Sequence, residues 1–314
     1  MDLAVRQQLL IASLACLPGL AFGEWLDWSA EAEVALGSDD NVNMAVDDFE
    51  QDDESLAITA RLGRSMLLDS AEHANTRLRL SADISREYYN DWDDLTHTRI
   101  GAVFQLQHKT GLGMTAPRLS ASLSANYEDV RDSYRDAWHY SALLGIDKRL
   151  GPRLDLGIAA YYRFRDGEEW TEATTELGSK VYNSDHGGLT VSARYSLLPR
   201  LRLSASASYY DGEFDSDCAD LLSPGGGNAY GGGLANLGRE PIWKQFGVKA
   251  IAADQVFACR WLADGDGYGL HSDLVWSLSR ASNVKLRLAY REIEMDFGED
   301  YSNTSLGLSY RYRF

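Results

Sequence analysis

The sequence predicts an all-β protein whose strands close into an antiparallel up-and-down barrel. Three observations support this prediction: apolar and polar residues alternate over long stretches, these stretches exceed ordinary strand length, and the connections between them are alternately short and long. Strict alternation places apolar side chains on one face of a strand and polar side chains on the other. The predicted structure is therefore a wall with one apolar and one polar face.

The alternation is clear in stretches such as "RLRLSADIS", "RLSASLSANYE" and "RLDLGIAAYYRFR". In the second of these, Leu119, Ala121 and Leu123 alternate with serines. Most of the stretches are longer than an ordinary strand and suit the roughly 9–11 residues that a tilted strand needs to cross a bilayer. Counting them gives about twelve strands, near 26–37, 54–67, 76–89, 95–109, 117–130, 136–150, 153–166, 187–198, 200–213, 268–279, 283–297 and 301–314.

The connections also follow a pattern. "GPR", "LPR" and "SRASN" are short, whereas "SDDNVNMAVDDFEQDDE" and "GEEWTEATTELGSKVYNSD" are long and acidic. Transmembrane barrels have short periplasmic turns and longer extracellular loops, and an even number of strands places both termini at the periplasmic end. The acidic loops contain carboxylates, which Ca²⁺ prefers as ligands, although no EF-hand spacing is present.

The longest connection, 214–267, begins with a glycine-rich stretch and continues with an apolar helical stripe that includes Phe246, Phe257 and Trp261. This pattern predicts a short amphipathic helix that caps or constricts the barrel. The alternative is an additional hairpin in this segment, which raises the count to fourteen strands.

The first 23 residues have the composition of a secretory signal peptide. The apolar run "LLIASLACLPGLAF" is too short to anchor the chain in a bilayer, and Ala21 and Gly23 occupy the small-residue positions of a cleavage site. Residues 24–314 then form the barrel domain. Because export leads to an oxidising compartment, Cys218 and Cys259 are predicted to form a disulfide.

The apolar face is predicted to contact lipid. In a bilayer every backbone polar group must be paired within the protein, and a closed barrel meets this requirement. Aromatic residues near the strand ends fit the belts that such barrels place at the membrane surfaces. A soluble β-sandwich is the alternative, with shorter strands and polar outer faces. The net charge of −17 argues against nucleic acid as a partner.

The chain ends in "YRYRF", in which Tyr310, Tyr312 and the terminal Phe314 occupy alternate positions. This ending resembles the signal that the barrel assembly machinery of Gram-negative bacteria recognises, and 24–314 as a whole resembles porin-like outer-membrane β-barrels. "DDNVN" at 39–43 is similar to a stretch in the barrel domain of surface lipoprotein assembly modifiers. The resemblance implies a location in the cell outer membrane, contact with its lipids and lipopolysaccharide, and insertion by that machinery.

Alternation turns more basic than acidic residues towards the interior. An arginine guanidinium matches carboxylates and phosphates, and a basic wall lowers the barrier for anions. The hypothesis is a channel for small anionic solutes or acidic oligosaccharides. The arginines predicted to line its anion pathway are Arg61, Arg77, Arg79, Arg99, Arg163, Arg165, Arg194, Arg202, Arg287, Arg291 and Arg311.

The alternative is that the interior charges neutralise one another. Glu31 and Glu33 of the first strand would neighbour Arg61 on one side, and Arg311 and Arg313 of the closing strand on the other, which suits cross-strand ion pairs. Such a barrel would not conduct, and would act in surface interaction, protein assembly or envelope structure.

An outer-membrane enzyme is the third hypothesis. His139 and Ser141 are similar to the His-x-Ser motif of lipid A 3-O-deacylases, but Ala142 stands where that family has asparagine. Asp185 and His186 are similar to the Asp–His pair of outer-membrane proteases. No phosphate-binding loop, zinc motif or nucleophile elbow is present. The sequence therefore predicts a protein without enzymatic activity, cofactor or metal.

Overall fold

The computed structural model describes residues 24–42, 44, 50–69, 75–111, 113–131, 135–167, 183–217, 260–296 and 300–314. Over these residues the chain forms twelve strands and one short 3₁₀ turn (Asp93–Leu95), which confirms the predicted all-β architecture. No helix in this part of the chain is long and apolar enough to cross a membrane. The strands are β1 (Glu24–Asp39), β2 (Asp53–Asp69), β3 (Asn75–Tyr89), β4 (His97–Lys109), β5 (Arg118–Val130), β6 (Ala137–Arg149), β7 (Leu154–Gly167), β8 (Ser184–Leu198), β9 (Leu201–Asp217), β10 (Arg260–Ser277), β11 (Ser282–Met295) and β12 (Tyr301–Arg313).

The strands form one closed barrel. Each strand pairs antiparallel with the next along the chain, and β1 pairs with β12, where Glu31 lies opposite Arg313. One circuit along the hydrogen-bonded rows returns to β1 displaced by about 16 residues, which for twelve strands gives a tilt of about 45° and a backbone radius of about 12 Å. This radius exceeds that of eight-stranded barrels, whose interiors side chains can fill.

Large apolar side chains cover the outside of the barrel. Leu36, Ile100 and Leu144 are 57%, 56% and 67% exposed, and they alternate with residues that face the interior. A soluble sandwich would bury such side chains between its two sheets. The exposed apolar band excludes the sandwich and forms the lipid-facing surface that the alternation predicts.

Aromatic side chains form a belt at each end of this outer surface. Near the end that holds the termini, the guanidinium of Arg64 lies 4.7 Å from the ring centroid of Trp25 and 5.2 Å from that of Trp28. Towards the opposite end, the rings of Trp138 and Tyr140 stack with their centroids 6.1 Å apart. Because tryptophan and tyrosine favour the bilayer interfaces, the two belts mark the two membrane surfaces.

The residues of the predicted assembly signal lie on the same outer surface. Tyr310 and Tyr312 are 45% and 41% exposed, and the Phe314 ring meets the Tyr312 ring edge-on with centroids 5.0 Å apart. The Phe314 backbone N–H donates a hydrogen bond to the Ala30 carbonyl of β1 over 2.9 Å. The ending is thus accessible from the membrane, and its recognition by the assembly machinery stays a prediction.

The strands beside the longest connection extend further than the sequence predicts. β9 continues to Asp217 and β10 begins at Arg260, so 214–217 and 260–267 belong to the wall. The helical assignment of Trp261 is therefore wrong, because this residue lies in β10. β9 also pairs directly with β10, which leaves no place in the wall for the extra hairpin of the fourteen-strand alternative.

Several predictions concern residues outside the described part of the chain. They are the signal peptide at 1–23, the Cys218–Cys259 disulfide, and the helix proposed within 218–259. These stay predictions.

A pair of glycines on β10 allows a large ring to lie flat against the inner wall. Tyr210 of β9 is only 7% exposed, and its hydroxyl donates to the Tyr268 carbonyl over 3.3 Å. Its ring lies over Gly267 and beside Gly269, and a Cβ added at Gly267 would overlap the ring. The glycines thus give the tyrosine a recess and keep its ring out of the centre of the barrel.

We predict that Gly267→Ala destabilises the barrel, because the added methyl group displaces the Tyr210 ring from its recess. The free energy of unfolding should fall by about 1–3 kcal/mol, the usual cost of overpacking. Urea unfolding of the protein in lipid vesicles, followed by tryptophan fluorescence, measures this change. Gly151→Ala is the control, since a Cβ there meets no atom within 4 Å. Equal stabilities of the two variants would contradict the packing described.

Candidate functional site

The candidate site is the interior surface of the barrel. The arginines that the sequence analysis selected alternate with exposed outer residues: Arg61 precedes Leu62, Arg163 follows Tyr162, and these two neighbours are each 50% exposed. The side chains of the arginines therefore point to the inner face of their strands. Their electrostatic environments differ: a first group binds acids, two arginines have other partners, and the rest form a second group without ion pairs within the described residues.

Members of the first group bind acids on other strands: Arg194 of β8 reaches across β7 to β6, and Arg287 of β11 pairs with β10. Arg194 Nη2 lies 2.9 Å from Asp147 Oδ1, and Arg287 Nε lies 3.2 Å from Asp273 Oδ1. Asp273 is also contacted by His271 over 3.0 Å. These contacts neutralise charge across strands, as the non-conducting alternative expects.

Two further arginines have other partners. Arg165 donates a hydrogen bond to the Arg135 carbonyl over 3.0 Å, and the Arg291 guanidinium lies 5.7 Å from the Tyr301 ring centroid. These contacts hold both side chains against the wall near the end of the barrel away from the termini.

Ion pairs join the first strand to the last. Arg311 donates to Glu33 Oε2 through Nη2 over 2.7 Å and through Nε over 2.9 Å, while Lys285 Nζ lies 3.5 Å from Glu33 Oε1. Arg313 likewise donates two hydrogen bonds to Glu31, over 2.8 and 3.0 Å. The pairs expected between β1 and β12 are therefore present.

The second group consists of inner-face arginines that make no ion pair within the described residues. It contains Arg61, Arg77, Arg79, Arg99, Arg163 and Arg202. The pair expected between β1 and Arg61 is thus absent, because the carboxylates of Glu31 and Glu33 bind Arg313 and Arg311 instead.

Among these six, the guanidinium of Arg163 lies 5.2 Å from the Tyr161 ring centroid. Inner-face acids without an ion pair to arginine or lysine also occur in the described strands, such as Asp83, which lies opposite Arg61.

Small side chains are frequent on the inner wall formed by β5 to β9. Ser124 of β5 and Ser141 of β6 share a hydrogen bond of 2.7 Å, and Thr190 of β8 shares one of 2.8 Å with Ser208 of β9. Serine occupies many of the remaining inner positions of these strands, and glycine occupies a few. This side of the interior offers neutral hydroxyl groups and leaves space beside them.

A cavity of about 640 Å³ opens at the end of the barrel away from the termini. Its lining includes the cations Arg99, Arg163 and Arg165 together with the neutral Ser124 and Asn126. We call this cavity the outer vestibule.

A cluster of histidine and glutamate side chains lies in the same vestibule. His139 Nε2 is 3.0 Å and His97 Nδ1 is 3.8 Å from the Glu128 carboxylate, and His97 Nε2 is 3.7 Å from Glu87. Sequence patterns alone offer no reason to single out either His97 or Glu128. Alternation shows that these side chains share a face, but their contact depends on the register of four strands, β3 to β6.

The residues considered for catalysis have other partners. His139 contacts Glu128, and the Ser141 hydroxyl bonds to Ser124, both inside the barrel. Asp185 and His186 point to opposite faces of β8. Asp185 accepts a hydrogen bond from the exposed Tyr162 on the outside.

On the inside, the His186 ring contacts the rings of Tyr210 and Phe214, with centroids 5.8 and 5.4 Å apart. Asp185 and His186 therefore do not form the pair that the protease hypothesis requires. Among the residues that the structure describes, no group of three or more His, Cys, Asp or Glu side chains is arranged to hold a metal ion.

No protein-family profile and no curated protein sequence matches the chain. Solved structures do match. An outer-membrane channel from Pseudomonas putida F1 has a TM-score of 0.50 at 11% identity, covering 95% of this chain and 99% of that one. The KdgM porin has a TM-score of 0.41 at 9% identity, covering 90% and 99% of the two chains. An anion-selective porin from Comamonas acidovorans has 0.40 at 9%, covering 93% and 100%. Only the first likeness bears on the fold, and at such low identity it shows the fold alone.

The closed barrel, its apolar exterior and its aromatic belts define a transmembrane β-barrel of the outer-membrane type. The protein is located in the cell outer membrane. Within that class, the chain shares its architecture with the channel from Pseudomonas putida F1.

We predict that Glu33→Gln weakens the closure of the barrel, because it removes the carboxylate that Arg311 and Lys285 share in the half-buried wall. The free energy of unfolding should fall by about 1–3 kcal/mol. Asp93→Asn is the matched control, since the pair of Asp93 with Arg131 is largely exposed and contributes less than about 1 kcal/mol. Urea unfolding in vesicles gives both values. An unchanged stability of Glu33→Gln would refute the role of these ion pairs in closing the barrel between β1 and β12.

Proposed function

We propose that the protein is a passive outer-membrane channel that favours small anionic solutes or acidic oligosaccharides. The observation that supports this proposal is the set of inner-face arginines, Arg99 and Arg163 among them, that make no ion pair within the described residues, whereas Arg194, Arg287 and Arg311 do. A wall with net positive charge attracts anions into the lumen and lowers their electrostatic barrier.

The arginines without ion pairs occur near both mouths of the barrel. Arg77 and Arg202 lie near the first residues of β3 and β9, at the end that holds the termini. Arg99 and Arg163 lie near the opposite ends of their strands and line the outer vestibule. An anion therefore meets a positive charge at either entrance, which favours its passage in both directions.

The dimensions of the wall support an open path. A backbone radius of about 12 Å leaves room inside a layer of side chains. The serines and glycines of β5 to β9 reduce the thickness of that layer on one side. The ion-pair clusters around Glu33 and Asp273 occupy the other side and support the competing hypothesis of a non-conducting barrel.

We predict that the wild-type protein conducts in planar bilayers and that its reversal potential in a KCl gradient has the sign of anion preference. The double variant Arg99→Gln/Arg163→Gln should lower the anion-to-cation permeability ratio by roughly twofold or more, because two positive charges leave the vestibule. The matched control is Arg287→Gln/Asp273→Asn, which also changes two side chains but leaves the net charge unchanged, and it should retain the wild-type ratio.

Two results would contradict the channel proposal. A folded wild-type protein that gives no current would favour the non-conducting barrel. A conducting protein whose permeability ratio is the same in the wild type and in both double variants would show that the arginines of the vestibule do not set selectivity.

A further inference from the structure

The outer vestibule has the size and lining of a binding site as well as of a passage. Its volume of about 640 Å³ lies within the roughly 300–1,000 Å³ of ordinary small-molecule sites. Cations and neutral polar groups converge on it from neighbouring strands, beside the Glu128 carboxylate. They include Arg99 of β4, Ser124 and Asn126 of β5, Ser141 of β6 and Arg163 of β7.

Arg99 makes no ion pair within the described residues, although an acid lies directly opposite it. In the β4–β5 register Arg99 is directly opposite Glu128, an arrangement that ordinarily gives a cross-strand ion pair. The Glu128 carboxylate instead contacts His139 and His97. The histidines contact this carboxylate, and the Arg99 guanidinium makes no ion pair among the residues that the structure describes. Its N–H groups can therefore donate hydrogen bonds to an anion in the lumen.

Arg163 is held in place without being neutralised. Its guanidinium lies over the Tyr161 ring at 5.2 Å from the centroid, a contact that orients the charge while leaving its edge donors available. In register it lies opposite Ser141, whose hydroxyl bonds to Ser124 over 2.7 Å. Neutral hydroxyl and amide groups thus occupy the strands between the two arginines.

We propose that the outer vestibule is a saturable binding site for a polyhydroxylated carboxylate, that is, a sugar acid. Arg99 and Arg163 bind the carboxylate, while Ser124, Asn126 and Ser141 exchange hydrogen bonds with the hydroxyl groups. The inference rests on the proposed anion channel and adds a residence site to it. Charge alone would select any anion, but neutral donors and acceptors beside the charge select one that also carries hydroxyl groups.

The test uses isothermal titration calorimetry on the full-length protein in lipid nanodiscs at low ionic strength. The probes are D-glucuronate, D-glucose, acetate and D-glucose 6-phosphate. Glucuronate should bind saturably, and glucose and acetate should each bind at least about tenfold more weakly, because glucose lacks the charge and acetate lacks the hydroxyl groups. Weaker binding of glucose 6-phosphate than of glucuronate supports a carboxylate site.

Variants locate the site. Arg99→Gln and Arg163→Gln should each weaken glucuronate binding by about tenfold, the loss expected for one charge-assisted contact. Arg287→Gln/Asp273→Asn, outside the lining of the vestibule, should bind as the wild type does. Heat-modifiable migration in gel electrophoresis verifies that each variant is folded.

Several outcomes would overturn the proposal. They are absence of saturable glucuronate binding, equal affinity for acetate and glucuronate, tighter binding of glucose 6-phosphate than of glucuronate, and wild-type affinity in both arginine variants. Each of these can occur in a protein that still shows anion-selective conductance, so the binding site can fail while the channel stands. The channel proposal is tested by a separate measurement, the reversal potential of the wild-type protein.

Discussion

The structure depends on one constraint, which is that backbone N–H and C=O groups in hydrocarbon must bond to one another within the protein. A sheet meets this constraint only when its last strand pairs with its first, as β12 pairs with β1 here. Closure in turn gives every strand one face towards lipid and one towards the interior. The leucines and isoleucines therefore lie outside, and the polar residues that alternate with them have only the interior to occupy.

Closure also raises a problem of register, because no short turn connects β1 to β12. In the other strand pairs the connecting loop limits the possible alignments, but here side chains must fix the alignment. Glu31 and Glu33 bind Arg313 and Arg311, the residues directly opposite them. A slip of one residue would turn the arginines towards lipid, where a charge near the middle of the bilayer costs about 2–4 kcal/mol. The ion pairs between β1 and β12 therefore stabilise the observed register of these two strands more than any shifted register.

The sequence determines the faces of the strands better than their ends or contacts. Alternation with period two predicted the twelve strands and the inward position of residues such as Arg163, because backbone geometry alone sets that pattern. It did not predict that β10 begins at Arg260, since short apolar runs fit both a strand and a helix. It also did not predict that Glu128 contacts His139 and not Arg99, because that choice depends on register and on side-chain geometry across three strands.

Stability and permeation place opposite demands on charges inside the barrel. A stable wall is favoured when each cation has an acid beside it, whereas an anion pathway requires cations whose donors remain available. In this barrel, the paired cations and the cations without ion pairs occupy different parts of the wall. Around Glu33 and Asp273, cations bind acids and join strands. In the outer vestibule, histidines contact the acid, and the arginine opposite it makes no ion pair with any residue that the structure describes. Histidine binds a carboxylate without adding a permanent charge. This arrangement holds Glu128 in place while Arg99 makes no ion pair within the described residues, which is the condition that the proposed anion pathway requires.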